Sequence, residues 1–104
     1  MIINGVEIDF SITNVDNLKA LQKGAKELLE KINKVSFTDI DDLIVYCEDA
    51  KIFFDSVLGE ENRKKVFGEC KDYEQILSGM HQILKIQNNT ISSINEKYTT
   101  NLLS

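Results

Sequence analysis

Residues 16–35 read DNLKALQKGAKELLEKINKV, and this segment decides the fold class of the chain. Its apolar residues recur at alternating spacings of three and four, which is typical of a helix that buries one face. They are Leu18, Leu21, Ala25, Leu28, Ile32 and Val35. Gly24 weakens a helix by up to about 1 kcal/mol, but it also permits another helix to cross closely. The pattern predicts a first helix over residues 16–34.

Three further helices are predicted downstream. Their bounds are residues 39–58 for the second, 60–67 for a short third and 72–101 for the fourth. Thr38 and Asp41 resemble a capping box, and Asp72 is the expected N-cap of the fourth helix. The second helix has a broad apolar face of Ile40, Leu43, Ile44, Cys47, Phe54, Val57 and Leu58. The stripe of the fourth comprises Tyr73, Ile76, Leu77, Met80, Ile83, Leu84, Gln87, Ile91, Ile94 and Tyr98.

The first thirteen residues predict a β-hairpin. Asn4-Gly5 is a strong signal for a type I′ turn, which needs positive φ at both central residues. After the turn, apolar and polar residues alternate with the period of a strand from Val6 to Thr13. Because the first arm holds only three residues, the second arm overhangs it. Phe10 and Ile12 therefore need cover from a helix or from another chain.

These elements predict a mainly α fold in one domain, residues 1–104. The N-terminal β-hairpin (1–13) is followed by an antiparallel bundle of three long helices and one short helix (16–101). Residues 16–34 hold five lysines and three acids, whereas residues 39–55 hold six acids and one lysine, so the first two helices suit an antiparallel pair. The expected core includes Val6, Ile8, Leu21, Leu28, Ile32, Leu43, Cys47, Phe54, Ile76, Met80 and Leu84.

Composition excludes several classes of partner. The formal net charge is −5, whereas a surface that neutralises phosphates is basic, so no nucleic acid or anionic membrane is expected. No apolar run approaches the roughly 20 residues that span a bilayer, and the N-terminus does not resemble a signal peptide. Cys47 and Cys70 are expected to be free thiols. The chain is therefore expected to be cytoplasmic.

The residues give no catalytic arrangement. His81 is the only histidine, so no histidine-based metal site is expected, and a surface position is predicted for it. Asp39, Asp41 and Asp42 lack the spacing of a calcium loop and suit the start of a helix instead. The basic cluster at residues 63–65 is interpreted as a solvated helix face. We therefore expect no enzyme, with no catalytic, cofactor-binding or metal-binding residues.

The remaining candidate functional sites are surfaces that could contact a partner or a second copy of the chain. Phe53 and Phe67 either form a patch beyond the core or are covered by the short helix. The fourth helix is about ten residues longer than the first two, so residues 89–104 either project or fray. A projecting stripe favours association, and the chain is expected to be a homo-oligomer. The candidate partner or oligomer surface comprises Phe10, Ile12, Phe53, Phe67, Ile91, Ile94 and Tyr98.

Three segments carry a resemblance: MIINGVEIDF (1–10), IFFDSVLGE (52–60) and KVFG (65–68). Together with the helical layout, they resemble the tail assembly chaperones of tailed phages and prophages of Gram-positive bacteria. The resemblance implies a factor in the cytoplasm of the bacterial host. It would bind the tape-measure protein, keep it soluble, and present tail tube subunits for assembly.

Two alternatives belong to other classes. One is a structural virion component, such as a tail or connector subunit. The other is a small regulatory protein that binds a host factor.

Overall fold

The computed structural model describes residues 1–34 and 39–103, with the side chains of residues 1–31 and 39–97. The strands are β1 (Ile2–Ile3) and β2 (Val6–Glu7), and the helices are α1 (Val15–Lys34), α2 (Ile40–Val57), α3 (Glu60–Phe67) and α4 (Tyr73–Leu103). The predicted mainly helical fold, with an N-terminal hairpin, three long helices and one short helix, is confirmed. α1, α2 and α4 pack on one another, α3 packs on α2, and β1 packs on α4.

The hairpin turns at Asn4-Gly5, where φ is 52° and 79°, as the sequence predicted. The predicted strand over residues 6–13 is wrong beyond its start, because β2 ends at Glu7. Met1 and Ile8 still exchange two backbone hydrogen bonds of 2.8 and 3.2 Å. Among the described residues, no strand pairs with the segment that follows Ile8. The following segment instead packs half-buried side chains, Phe10 among them, against the core.

Asn4 attaches the hairpin to α4. Its backbone N–H donates to Gln82 Oε1 at 2.7 Å, and its side-chain amide donates to the Gln75 carbonyl at 3.1 Å. Its Oδ1 accepts from Ser78 Oγ at 3.1 Å and from Gln82 Nε2 at 2.9 Å. One asparagine therefore serves both the turn and the contact between hairpin and helix.

Asparagine and aspartate side chains cap the N-termini of the long helices. Asn14 Oδ1 accepts from the backbone of Asp16 and Asn17 at the start of α1. Asp39 caps α2 by accepting from the Asp41 N–H at 3.0 Å. Thr38, which the sequence placed in this cap, lies outside the described residues. Asp72 Oδ1 accepts from the Gln75 N–H at 3.2 Å and caps α4 as predicted.

The core joins all the elements. Of the residues predicted for it, six are fully buried: Ile8, Leu21, Leu28, Phe54, Ile76 and Met80. Val6, Cys47 and Leu84 are partly buried against it, and Leu43 is half-buried. The Ile32 side chain lies outside the described ones. Phe54 stacks on Phe67, with ring centroids 4.1 Å apart and an interplanar angle of 11°, so this pair joins α2 to α3.

Arg63 corrects the interpretation of residues 63–65 as a solvated face. Lys64 and Lys65 are exposed, but Arg63 is only 2% exposed. Its Nε donates to Asp55 Oδ1 at 2.6 Å and its Nη1 donates to the Gly68 carbonyl at 2.7 Å. The Asp55 hydrogen bond raises the pKa of Arg63 above its ordinary value. An ion pair between the buried Arg63 and the partly exposed Asp55 therefore fixes α3 against α2.

Gly24 lets α1 and α2 approach closely, as its position in the first helix suggested. A Cβ atom at this position would overlap the ring of Phe53 at its Cε2 and Cδ2 atoms. The ring is buried beside Phe54, with centroids 5.3 Å apart. A larger residue at position 24 must therefore displace either the ring or the helix.

We expect Gly24→Ala to lower the free energy of unfolding by about 1–2 kcal/mol. Overpacking a core costs roughly 1–3 kcal/mol, and the better helix propensity of alanine offsets up to about 1 kcal/mol of that. Urea unfolding measures the change. Gln22→Ala, at an exposed position of the same helix, is the control and should be nearly neutral. A stabilised Gly24→Ala would show that the two helices do not cross here.

Candidate protein-binding surfaces

The outer face of α2 exposes large aliphatic side chains. Ile40 is 71% exposed, Ile44 49%, Val45 55% and Ile52 67%. The sequence pattern placed Ile40 and Ile44 on the core-facing side of this helix, and the structure corrects that assignment. With 3.6 residues per turn, Val45 and Ile52 lie on the side opposite Ala50, which is fully buried. Thus α2 is apolar on both sides.

Acidic side chains lie between the exposed aliphatic ones. Asp41 and Glu48 are seven residues apart, so they share one line along the helix. Ile40 and Ile44 lie on one side of that line, and Val45 and Ile52 on the other. Both carboxylates are exposed, and neither forms an ion pair within the part of the chain that the structure describes. We call these residues the α2 surface: Ile40, Asp41, Ile44, Val45, Glu48 and Ile52.

A groove of about 630 Å³ borders the α2 surface. It runs between α2 and the start of α4, and Ile40, Ile44, Cys47 and Tyr73 belong to its lining. The charged residues on its rim are Glu48, Lys51, Glu69 and Lys71. The groove gives one edge of the α2 surface a concave shape, which suits an inserted apolar side chain.

Both cysteines line this groove and are free thiols, as predicted. Cys70 is buried, and its pKa is raised to about 11. Burial is the largest cause, and the nearby Cys47 is the second. Burial also raises the pKa of Cys47, which is only half-buried. Because the thiolate is the reactive form, neither environment activates a nucleophile.

We expect iodoacetamide at pH 8 to alkylate Cys47 at least about tenfold faster than Cys70. Cys70 combines the higher pKa with almost complete burial, so both its thiolate fraction and its accessibility are low. Peptide mass spectrometry over time measures the two rates. In concentrated urea the rates should converge. Equal rates in buffer would contradict the burial of Cys70.

A second candidate surface joins the hairpin segment to α4. Ile2 and Ile12 line one cleft together with Ile86 of α4. Ile86 also lines a neighbouring cleft that contains Thr13 and Ile94. The structure therefore brings two predicted sites, the segment after the hairpin and the distal part of α4, to adjoining positions. We call Ile2, Ile12, Ile86 and Ile94 the hairpin–α4 surface.

The distal part of α4 is exposed. Gln87 is buried, whereas the described side chains of residues 91–97 are all exposed, with Ile91 at 38% and Ile94 at 37%. The whole helix has 31 residues, or about 46 Å, against 20 residues in α1. Tyr98, the last residue of the predicted stripe, lies outside the described side chains.

Phe53 and Phe67 are not at the surface. Both are buried in the core, because α1 crosses over Phe53 and α3 folds Phe67 back onto Phe54. Neither interpretation holds as stated for Phe53, because α1 rather than the short helix covers it, whereas Phe67 of the short helix packs onto Phe54. They are therefore removed from the candidate surface.

The residues considered for catalysis or metal binding do not come together among the described residues. His81 is exposed on α4. Among the described residues, no group of three or more His, Cys, Asp or Glu side chains is placed to hold a metal ion. Within the same residues, no helix combines the length and apolarity needed to cross a membrane.

The sequence pattern did not predict the α2 surface, because Ile40 and Ile44 were assigned to the core-facing side of α2 and Val45 and Ile52 were assigned to neither side. The signal was present in the angular positions. Val45 and Ile52 lie far from Phe54 around the helix, and a single buried face does not accommodate all three. When a helix is apolar on both sides and its own chain packs against only one of them, the other apolar side stays exposed.

A family described as "Family of unknown function (DUF6673)" matches residues 4–102. No curated protein and no solved structure matches.

Proposed function

We propose that this chain, which belongs to the DUF6673 family of unknown function, is a non-enzymatic protein-binding factor that acts as a chaperone in phage tail assembly. The α2 surface is the observation that carries the proposal. Four exposed aliphatic side chains on one helix form an apolar area that is unfavourable in water until a partner covers it. Covering such an area is the usual role of a protein-binding surface.

The chaperone role rests on the resemblance of residues 1–10, 52–60 and 65–68 to tail assembly chaperones. A tape-measure protein is long and helical, so it exposes apolar stripes before the tail tube surrounds it. An acidic factor with an apolar surface would cover those stripes, and its net charge of −5 would keep the complex soluble.

Co-expression tests the proposal. The tape-measure protein of the phage or prophage that carries this gene is expressed alone, with the wild-type chain, or with a variant. We expect the wild type to raise the soluble yield and Val45→Ser/Ile52→Ser to lose most of that effect. Val15→Ser, which removes an exposed valine from α1, should behave as the wild type. No increase with the wild-type chain would reject the chaperone role.

The second candidate is a structural tail or connector subunit, which the exposed end of α4 favours. Mass spectrometry of purified particles separates the two functions. A chaperone should be absent or scarce in particles, whereas a subunit should be present in many copies.

We expect the wild-type chain to self-associate through the hairpin–α4 surface and the neighbouring Ile91. Ile91→Ser/Ile94→Ser should shift the oligomer toward monomer, because it removes two exposed isoleucine side chains from the described part of the distal helix. Light scattering at high micromolar concentration measures the mass of each form. A monomeric wild type would contradict self-association. A double variant that stays fully oligomeric would exclude the distal helix as the contact.

A further inference from the structure

We propose that the α2 surface binds a cationic amphipathic helix, in which lysine or arginine recurs every seventh residue between two aliphatic rows. The proposed function requires a protein partner, and the α2 surface indicates the chemistry of that partner. Only the identity of the partner protein rests on the proposed function. The α2 surface itself supplies the spacing and the charge.

The geometry of the surface requires cations. Its two aliphatic rows flank the line of Asp41 and Glu48, so a helix that covers both rows lies over both carboxylates. Burying an unpaired carboxylate is strongly unfavourable, and a charge-assisted hydrogen bond offsets that cost. Asp41 and Glu48 are separated by seven residues, or about 10.5 Å along the axis. Cations seven residues apart on a nearly parallel or antiparallel helix match this distance.

Two other acids of α2 are paired within the chain. Asp49 pairs with Lys31 of α1 at 3.1 Å, and Asp55 pairs with Arg63 of α3 at 2.6 Å. Their partners come from elements that pack against α2 within the same chain. Asp41 and Glu48 lie on the side of α2 opposite the buried Ala50, so a helix of another molecule that covers them must itself supply the cations.

A second copy of the chain fits this surface poorly. Packing two α2 surfaces together places Asp41 and Glu48 of each copy against the same acids of the other, and the repulsion opposes association. The basic outer side of α1 offers lysines, but Val15 is its only exposed large aliphatic side chain among those described. A cationic helix of a different protein satisfies both the aliphatic rows and the carboxylates.

Two synthetic helical peptides test the proposal with the full-length chain. One carries lysine at every seventh position between two rows of leucine, and the other carries glutamate at the same positions. We expect the lysine peptide to bind at least about tenfold more tightly by calorimetry, the effect of roughly one well-formed charge pair. Raising the salt concentration should reduce this difference.

The decisive variant is Glu48→Lys. It should weaken the lysine peptide and strengthen the glutamate peptide, and a gain of binding cannot result from a damaged fold. Glu30→Lys, an exposed acid on α1, is the matched control and should change neither affinity appreciably. Ile52→Ser should weaken both peptides, whereas Val15→Ser should not.

Three outcomes overturn the proposal. The first is equal affinity for the two peptides. The second is an equal effect of Glu48→Lys and Glu30→Lys on peptide affinity. The third is a change in the mass of the free chain with Ile52→Ser, which would assign the surface to a second copy. Peptide selectivity without any effect on the tape-measure protein would reject the chaperone role alone. A chaperone effect that survives Glu48→Lys and Ile52→Ser, without peptide selectivity, would reject this site alone.

Discussion

Replacing Phe54 with alanine should lower the free energy of unfolding by about 3–5 kcal/mol, a large share of the total stability of a small domain. The Phe54 side chain is completely buried, stacked on Phe67 and adjacent to Phe53. Its loss removes the aromatic contact between α2 and α3 and leaves a cavity that the surrounding helices cannot fill without moving. Thermal and urea unfolding followed by circular dichroism measure the change.

Ile52→Ala is the matched control, because it shortens an apolar residue of the same helix at an exposed position. It should alter stability by less than about 0.5 kcal/mol. Similar losses for the two variants would mean that α2 is rotated from its described orientation. The control thus tests the burial of one face of α2 and the exposure of the other in a single experiment.

Replacing Asp55 with alanine should cost about 3 kcal/mol or more. The loss exceeds the value of an ordinary ion pair, because Arg63 stays buried with its charge and keeps only the Gly68 carbonyl as an acceptor. A buried guanidinium that loses its carboxylate partner is unfavourable, and hydrating it requires α3 to shift from α2 or water to enter at the partly exposed position of Asp55. Urea unfolding at low and high salt measures the effect.

Asp49→Ala provides the comparison, because it breaks the more exposed pair with Lys31 at 3.1 Å. An exposed pair contributes about 0–1 kcal/mol, so this variant should be nearly neutral. The double variant Asp55→Leu/Arg63→Met should recover much of the loss, since no buried charge then lacks a partner. Equal effects of Asp55→Ala and Asp49→Ala would show that Arg63 is solvated.

These predictions concern one helix with two functions. The inner side of α2 carries Phe54 and belongs to the core, whereas its outer side carries the α2 surface. Variants of the outer side should therefore change binding while the fold remains intact. This separation makes the proposed partner testable in a chain as small as this one.

Local sequence determined the elements. The alternating three- and four-residue spacing of α1, the turn at Asn4-Gly5 and the cap at Asp72 were each readable, because each depends on residues within one or two turns of one another. The helix bounds follow for the same reason. The error in the hairpin arose where a strand pattern continued past the end of its partner, since a strand requires backbone from another segment.

Tertiary structure decided the surfaces. Whether Ile52 or Phe53 faces water depends on which side of α2 the other helices occupy, and apolar character alone does not distinguish two adjacent residues on an apolar helix. Arg63 followed the same rule: its sequence neighbours are solvated, yet Asp55 from α2 makes its burial favourable. The sequence by itself determined the helices and the hairpin through short-range contacts and backbone preferences. Only the tertiary structure, through contacts between distant segments, decided which charges are paired and which isoleucines are exposed.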